Sequence, residues 1–154
     1  MAAGQAGKPI ESVGRWRREV VDARDSDGRL LISRLSDGNA QVAAALPADE
    51  ALLRHPGLSR VLQVHSDEHA PRIVEDIGSA RPLSEGRCRV PRGDALVDGL
   101  LNLLGAIAYL HRNDLTHGSV GRDTVFSDGR SLLLTGASLV HEGSDAPSAD
   151  VAGW

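Results

Sequence analysis

The sequence predicts an α+β fold, β-rich in its front half and mainly helical behind, and three observations carry that reading. Short β-prone runs alternate with turn signals up to about residue 78. Residues 96–110 then place apolar side chains at helical spacing, and two further β-prone runs follow near residues 124–134. The chain has 154 residues, enough for one ordinary domain or for two small lobes sharing an interface. Aromatic residues are scarce, with two Trp, one Tyr and one Phe, so the core must be built from Leu, Val, Ile and Ala.

Residues 1–12 are small and polar and read as a disordered N-terminus. From Arg15 to Leu35, "REVVDARD", the turn "SDG" and "RLLISRL" predict a hairpin. "AQVAAALPADEALLR" predicts a helix interrupted at Pro47, which lacks an N–H and clashes one turn back, and "HPG" at His55–Gly57 ends it. "LSRVLQVHSDEHAPRIVEDIG" reads as strand, turn, strand, and "SARPLSEGRCRVPRGD" as a loop.

The strongest element is a helix from Asp94, a good N-cap residue, to about Arg112. Leu96, Leu100, Leu103, Ile107 and Leu110 form one apolar stripe, and Val97, Leu101, Leu104 and Ala108 a second beside it, which predicts a helix buried on most of its circumference. Gly99 and Gly105 weaken it locally and imply a close neighbour. Strands near Thr124–Phe126 and Ser131–Leu134, joined by "SDGR", come next, and "EGSDAPSADVAGW" is rich in turn formers.

Charge and cysteine content narrow the function classes. Net charge is −4, with 17 basic residues scattered among 21 acidic ones, so no basic stripe offers itself to nucleic acid. Lys8 is the single lysine; Arg in place of Lys with abundant Ala and Gly suggests a GC-rich genome. The lone Cys88 has no internal disulfide partner, which fits a reducing cytoplasm. The first residues lack the order of a signal peptide, and no apolar run approaches the ~18–20 residues of a membrane span.

The order of elements, with several stretches of sequence, resembles the eukaryotic-type serine/threonine protein kinase domain as found in bacteria. "EVVDARDSDGRLLISRL" looks like that family's second and third strands, and "LLRHPGLSRVLQV" like the segment after its regulatory helix. "APRIVEDIGSARPLSE" is similar to the fifth strand and hinge, and "LLNLLGAIAYLHRNDLTHG" to the helix leading into the catalytic loop. The resemblance divides the chain into a small lobe with hinge at 13–83 and a truncated large lobe at 84–154. "SADVAGW" resembles the start of the large lobe's central helix, and the chain stops there at Trp154. A helix left without that cover implies a longer protein, a protein partner or self-association through Leu96, Leu100, Leu103 and Ile107.

Phosphoryl transfer rests on positioning phosphates and neutralising charge, and the family's parts for this can be placed one by one. In the glycine-rich loop, "VGRWRREV" keeps only Gly14 and puts Trp16, Arg17 and Arg18 where small residues belong. The strand lysine falls on Ser33, or on Arg34 after a one-residue slip, and its glutamate partner near Leu46 and Pro47, about a turn from Glu50. Ser119 stands for the catalytic aspartate after His117-Gly118, Thr124 for the metal-binding asparagine, and Gly136 of "GAS" for the DFG aspartate. A neutral hydroxyl is neither a useful base nor an anionic metal ligand.

The resemblance therefore implies a pseudokinase: a cytoplasmic scaffold or regulatory protein-binding module, for example in signalling or envelope assembly, with no catalytic residues, no Mg²⁺ and no cofactor expected. The alternative is an atypical serine/threonine kinase or a metal-independent nucleotide-binding domain, with Arg34 and Asp76 as candidate ATP contacts. A third reading, a small interaction domain, would lack a two-lobed cleft.

Other residues have a functional and a plainer reading. Ser119 with His117 as base lacks a third group to orient the pair. His65 and His69 of "HSDEH" would align as ligands on a helix but fall in a hairpin turn. Asp123 is a cation contact or a solvated residue before a strand. Cys88, between Arg87 and Arg89, is a thiol of lowered pKa or an ordinary exposed one. The Arg15–Arg18 cluster grips a phosphate or acidic partner, or is merely solvated.

Overall fold

The hairpin expected between residues 15 and 35 forms the centre of a five-stranded antiparallel sheet. The computed structural model describes residues 7–13, 16–23, 28–35, 53–65 and 71–137. Its strands are β1 (Lys8–Val13), β2 (Trp16–Asp22), β3 (Arg29–Leu35), β4 (Arg60–His65) and β5 (Arg72–Gly78), in the spatial order β1-β2-β3-β5-β4. A smaller sheet joins β6 (Arg81–Pro82), β7 (Val125–Ser127) and β8 (Leu132–Leu134) in that order. The helix among the described residues, α1 (Asp94–Arg112), packs against β8. The helix expected across 40–54 and the terminal "SADVAGW" fall outside the described residues, apart from Leu53 and Arg54, which are irregular.

Alternation decides the two faces of the large sheet. Trp16 and Arg18 on β2, Leu31, Ser33 and Leu35 on β3, and Ile73, Glu75 and Ile77 on β5 are buried together on the inner face. The register sets Arg18 opposite Ser33, Ser33 opposite Ile73, and Leu31 opposite Glu75. The N-terminal expectation is corrected here: residues 8–13 are not disordered but form edge strand β1, pairing Lys8 with Val20 and Ile10 with Arg18. Local composition undersold this segment because its order comes from hydrogen bonds to β2, and Pro9 is tolerated on an edge.

The helix corrects two further expectations. Gly93, at φ 58°, is the N-cap, and Asp94 instead occupies the first turn, where its charge suits the helix dipole. The stripe expected to lie uncovered is the one that docks: Leu103 and Ile107 are core residues, and Leu96 and Leu100 pack against them. The second stripe faces outward, with Val97 55%, Leu101 60% and Leu104 56% exposed.

Glycines break the tie between the stripes. A Cβ on Gly99 would lie 3.0 Å from Leu132 Cγ on β8, and one on Gly57 would lie 2.3 Å from the Asn102 carbonyl oxygen. Only the face carrying these close approaches can reach the sheet. The lower core then gathers Leu58, Leu103, Ala106, Ile107, Leu110, Val120, Val125, Leu132 and Leu134.

Strands β7 and β8 lie within one residue of their expected positions. Asp128 shapes their turn by accepting from the Arg130 and Ser131 backbone N–H groups, each at 2.8 Å. Partial burial pushes its carboxyl pKa up, but these bonds and one from the Ser131 hydroxyl outweigh that and leave it depressed. A depressed carboxyl contributes stability above its unfolded pKa of about 3.9 and loses it as pH falls through the folded value. The stability advantage of the wild type over Asp128→Ala should therefore be constant at neutral pH and shrink below about pH 4 in urea titrations. An advantage unchanged in acid would remove the charge from this account.

Candidate functional site

The inner face of the large sheet meets the β7–β8 sheet and its flanking loops at a buried contact, where several positions singled out from the sequence come together. Ser33 lies on the inner face of β3 at 0% exposure. The loop after α1 supplies His117, Ser119 and Thr124, and the residues after β8 supply Thr135 and Gly136. Two parallel-type bonds tie the segment before β4 to β8: Ser59 N–H to Leu134 O at 2.9 Å and Leu134 N–H to Gly57 O at 2.7 Å.

Arg18 bridges this contact. The side chain is only 2% exposed, and it leaves β2 to donate from Nη1 to the Asp123 carbonyl at 2.9 Å and from Nη2 to Thr135 Oγ1 at 2.6 Å. Its guanidinium carbon sits 5.7 Å from the centroid of the Phe126 ring, within cation–π range. Burial lowers its pKa, while the charges of Glu75 and then Asp123 work the other way. An arginine under such a penalty is retained only where it is well hydrogen-bonded.

Glu75 is the matching anion, at 0% exposure on β5. Its Oε1 accepts from the Ser59 hydroxyl and, at 2.8 Å, from the Gly136 backbone N–H. Gly136 takes φ 75°, a left-handed conformation that suits glycine. Below the sheet, Phe126 packs in one cluster with Leu31, Ile77 and Ala80, so the two sheets touch directly beside Arg18. Three buried polar atoms here have no protein partner: Arg18 Nε, Ser33 Oγ and Glu75 Oε2. They stem from neighbouring inner-face positions, as expected where a buried water completes a polar cluster.

The loop residues are engaged in holding the loop. His117 is fully buried; Nε2 lies 2.7 Å from the Thr135 carbonyl, which only accepts, so this nitrogen carries the proton. Nδ1 therefore accepts, and it does so from the Ser119 backbone N–H at 3.2 Å. With both nitrogens engaged on backbone, His117 is no base for the Ser119 hydroxyl. Thr124 Oγ1 accepts from Gly121 N–H at 3.0 Å and reaches the Ser119 carbonyl at 2.7 Å. Thr135 Oγ1, besides accepting from Arg18, donates to the Thr124 carbonyl at 2.9 Å.

The remaining candidates lie elsewhere. Arg34 is on the outer face of β3, exposed and paired with Glu19. Asp76 is exposed on β5, where Oδ1 accepts from the Gly78 N–H at 3.0 Å. His65 ends β4 in the open, beside Gln63, and His69 falls outside the described residues, as do Leu46, Pro47 and Glu50. Asp123 contributes its carbonyl to Arg18, and within the Arg15–Arg18 cluster Arg17 is exposed while Arg18 is buried. Among the described residues, no three His, Cys, Asp or Glu side chains gather as a metal site.

Cys88 departs from the lowered pKa considered for it. Partial burial raises its pKa, and the thiol donates to the Arg81 carbonyl at 3.3 Å, so it is an ordinary protonated thiol at neutral pH. The flanking Arg87 and Arg89 are exposed and turn their charge to solvent.

Glu75 is the residue that sequence reasoning passed over, in favour of its neighbour Asp76. The signal was present in "RIVEDIG": a carboxylate in phase with Ile73 and Ile77 must either be buried or disrupt the face.

No family model and no curated protein matches the sequence. Solved structures do. The chain is similar to the PknI kinase domain of Mycobacterium tuberculosis, at 18% identity and a TM-score of 0.61, covering 100% of this chain and 68% of that one. A second PknI kinase-domain structure is matched at 17% identity and a TM-score of 0.60, over 91% of this chain and 60% of that one. The pseudokinase domain of BIR2, described as an immune regulator of the RLK/Pelle family, is matched at 17% identity and a TM-score of 0.65. That match covers 88% of this chain and 45% of BIR2's, so the chain spans less than half the BIR2 structure. The shared feature is the fold, which is protein-kinase-like.

Proposed function

From this kinase-like fold we propose that the chain is a non-catalytic, pseudokinase-type module that works by binding protein, as a scaffold or regulator. The observation that carries the reading is the closed contact between the two sheets: Arg18 bridges it to Thr135 and Asp123, opposite Ser33 on β3. Phosphoryl transfer needs a cation on β3, anionic metal ligands and a base close to the phosphates. At those positions this chain offers Ser33, Thr124, Gly136 and Ser119. Thr124 spends its hydroxyl inside its own loop, and Gly136 contributes a backbone N–H to Glu75. The single unpaired Cys88 supports a cytoplasmic location for the module. No helix among the described residues is long and apolar enough to cross a membrane.

The test is thermal shift with ATP and Mg²⁺ varied separately, beside a phosphotransfer assay. The expected result is no shift and no transfer at millimolar ATP. A Mg²⁺-dependent shift with transfer would overturn the reading in favour of an atypical kinase. A metal-independent shift abolished in Arg18→Met would make the module a nucleotide sensor, with Arg18 rather than Arg34 holding the phosphates.

A further inference from the structure

We propose that the exposed face of α1 is a self-association surface on which a second copy of this chain docks its own α1 in antiparallel orientation. The stripe runs Asp94, Val97, Leu101, Leu104, Ala108, Arg112, at spacings of three and four residues, so all six lie along one line of the helix. All six are exposed. The core-facing line of Gly99, Leu103, Ala106 and Leu110 lies on the opposite side of the helix. The apolar stretch is a narrow seam of coiled-coil type, two turns of large side chains closed by an alanine.

The ends of the seam select the occupant. Anions open it at Asp94 and, one turn further along its edge, Asp98, and a cation closes it at Arg112. A parallel copy would bring like charges together at both ends. An antiparallel copy related by a two-fold axis near residue 103 places Asp94 of each chain beside Arg112 of the other. The same operation brings Leu101 against Leu104 and Val97 against Ala108. One patch thus meets itself with apolar centre on apolar centre and opposite charges at both rims, the pattern of an isologous interface. This surface lies on the side of α1 opposite its core contacts and shares no residue with the Arg18 contact, so the pairing stands or falls separately from nucleotide binding.

The experiment is sedimentation equilibrium on the full chain from micromolar to sub-millimolar concentration. The wild type is expected to show a reversible monomer–dimer equilibrium. Leu101→Glu with Leu104→Glu should leave a folded monomer, with circular dichroism as the check, because both side chains are already solvent-facing. Asp94→Arg alone and Arg112→Asp alone should each weaken the dimer about tenfold, since each change creates two like-charge contacts across the axis. The combined Asp94→Arg/Arg112→Asp chain should bind more tightly than either single variant. A wild type that stays monomeric, or a dimer untouched by the leucine changes, overturns the proposal. A dimer in which the double charge swap is no tighter than either single change overturns the antiparallel register.

Discussion

Arg18→Met is expected to lower the unfolding free energy by about 3–5 kcal/mol, measured by urea denaturation at neutral pH. Methionine keeps an unbranched stem of similar reach and packs acceptably against Phe126, so most of the loss is electrostatic. The change removes the donors to the Asp123 carbonyl and to Thr135 Oγ1. It also leaves Glu75 buried without the cation that offsets its charge. Adding Glu75→Gln removes that stranded charge, so the double variant should be less destabilised than the sum of the two single changes. A non-additivity of this kind is what a double-mutant cycle detects in a coupled network. A loss below about 1 kcal/mol for Arg18→Met would mean that the guanidinium is not held between the sheets, and the account of the closed contact would fall with it.

Gly57→Ala tests the other structural junction, where the "HPG" turn meets the helix. The new Cβ would stand 2.3 Å from the Asn102 carbonyl oxygen and 2.8 Å from its carbon, and both are backbone atoms that cannot swing aside. The turn must then retreat, which strains the Leu134 N–H bond to the Gly57 carbonyl and the Gly57 N–H bond to His55 Nδ1. A loss of about 3 kcal/mol is expected, at the upper end for overpacking. Gly86→Ala is the control, since nothing lies within 4 Å of its added Cβ, and it should stay within about 0.5 kcal/mol of the wild type. If both variants melt together with the wild type, the turn does not rest on the helix as described.

Local pattern alone determined much of this molecule. β-prone runs separated by turn signals marked β2, β3, β5 and the β7–β8 pair, because strand propensity and turn chemistry are properties of neighbouring residues. Helical spacing from 96 to 110 marked α1, and Gly99 and Gly105 announced the close neighbours found at Leu132 and the His55 ring. Identity at single positions was legible as well. The family resemblance singled out Ser33, Thr124 and Gly136, in "LLISRL", "GRDTVF" and "TGASLV", without any structure.

Tertiary structure decided what depends on contacts between distant residues. β1 has little strand character of its own and is ordered by pairing with β2. The two apolar stripes of α1 are nearly equal in composition, and close approach at Gly57 and Gly99 selected which one is buried. Arg18 and Glu75 each read locally as a charge in a strand, and only the register of β2, β3 and β5 turns both to the interior. Arg18 finds its acceptors 105 and 117 residues further along the chain. Such long-range pairing leaves no period in a sequence, because what favours it is the removal of both charged groups from water in the same place.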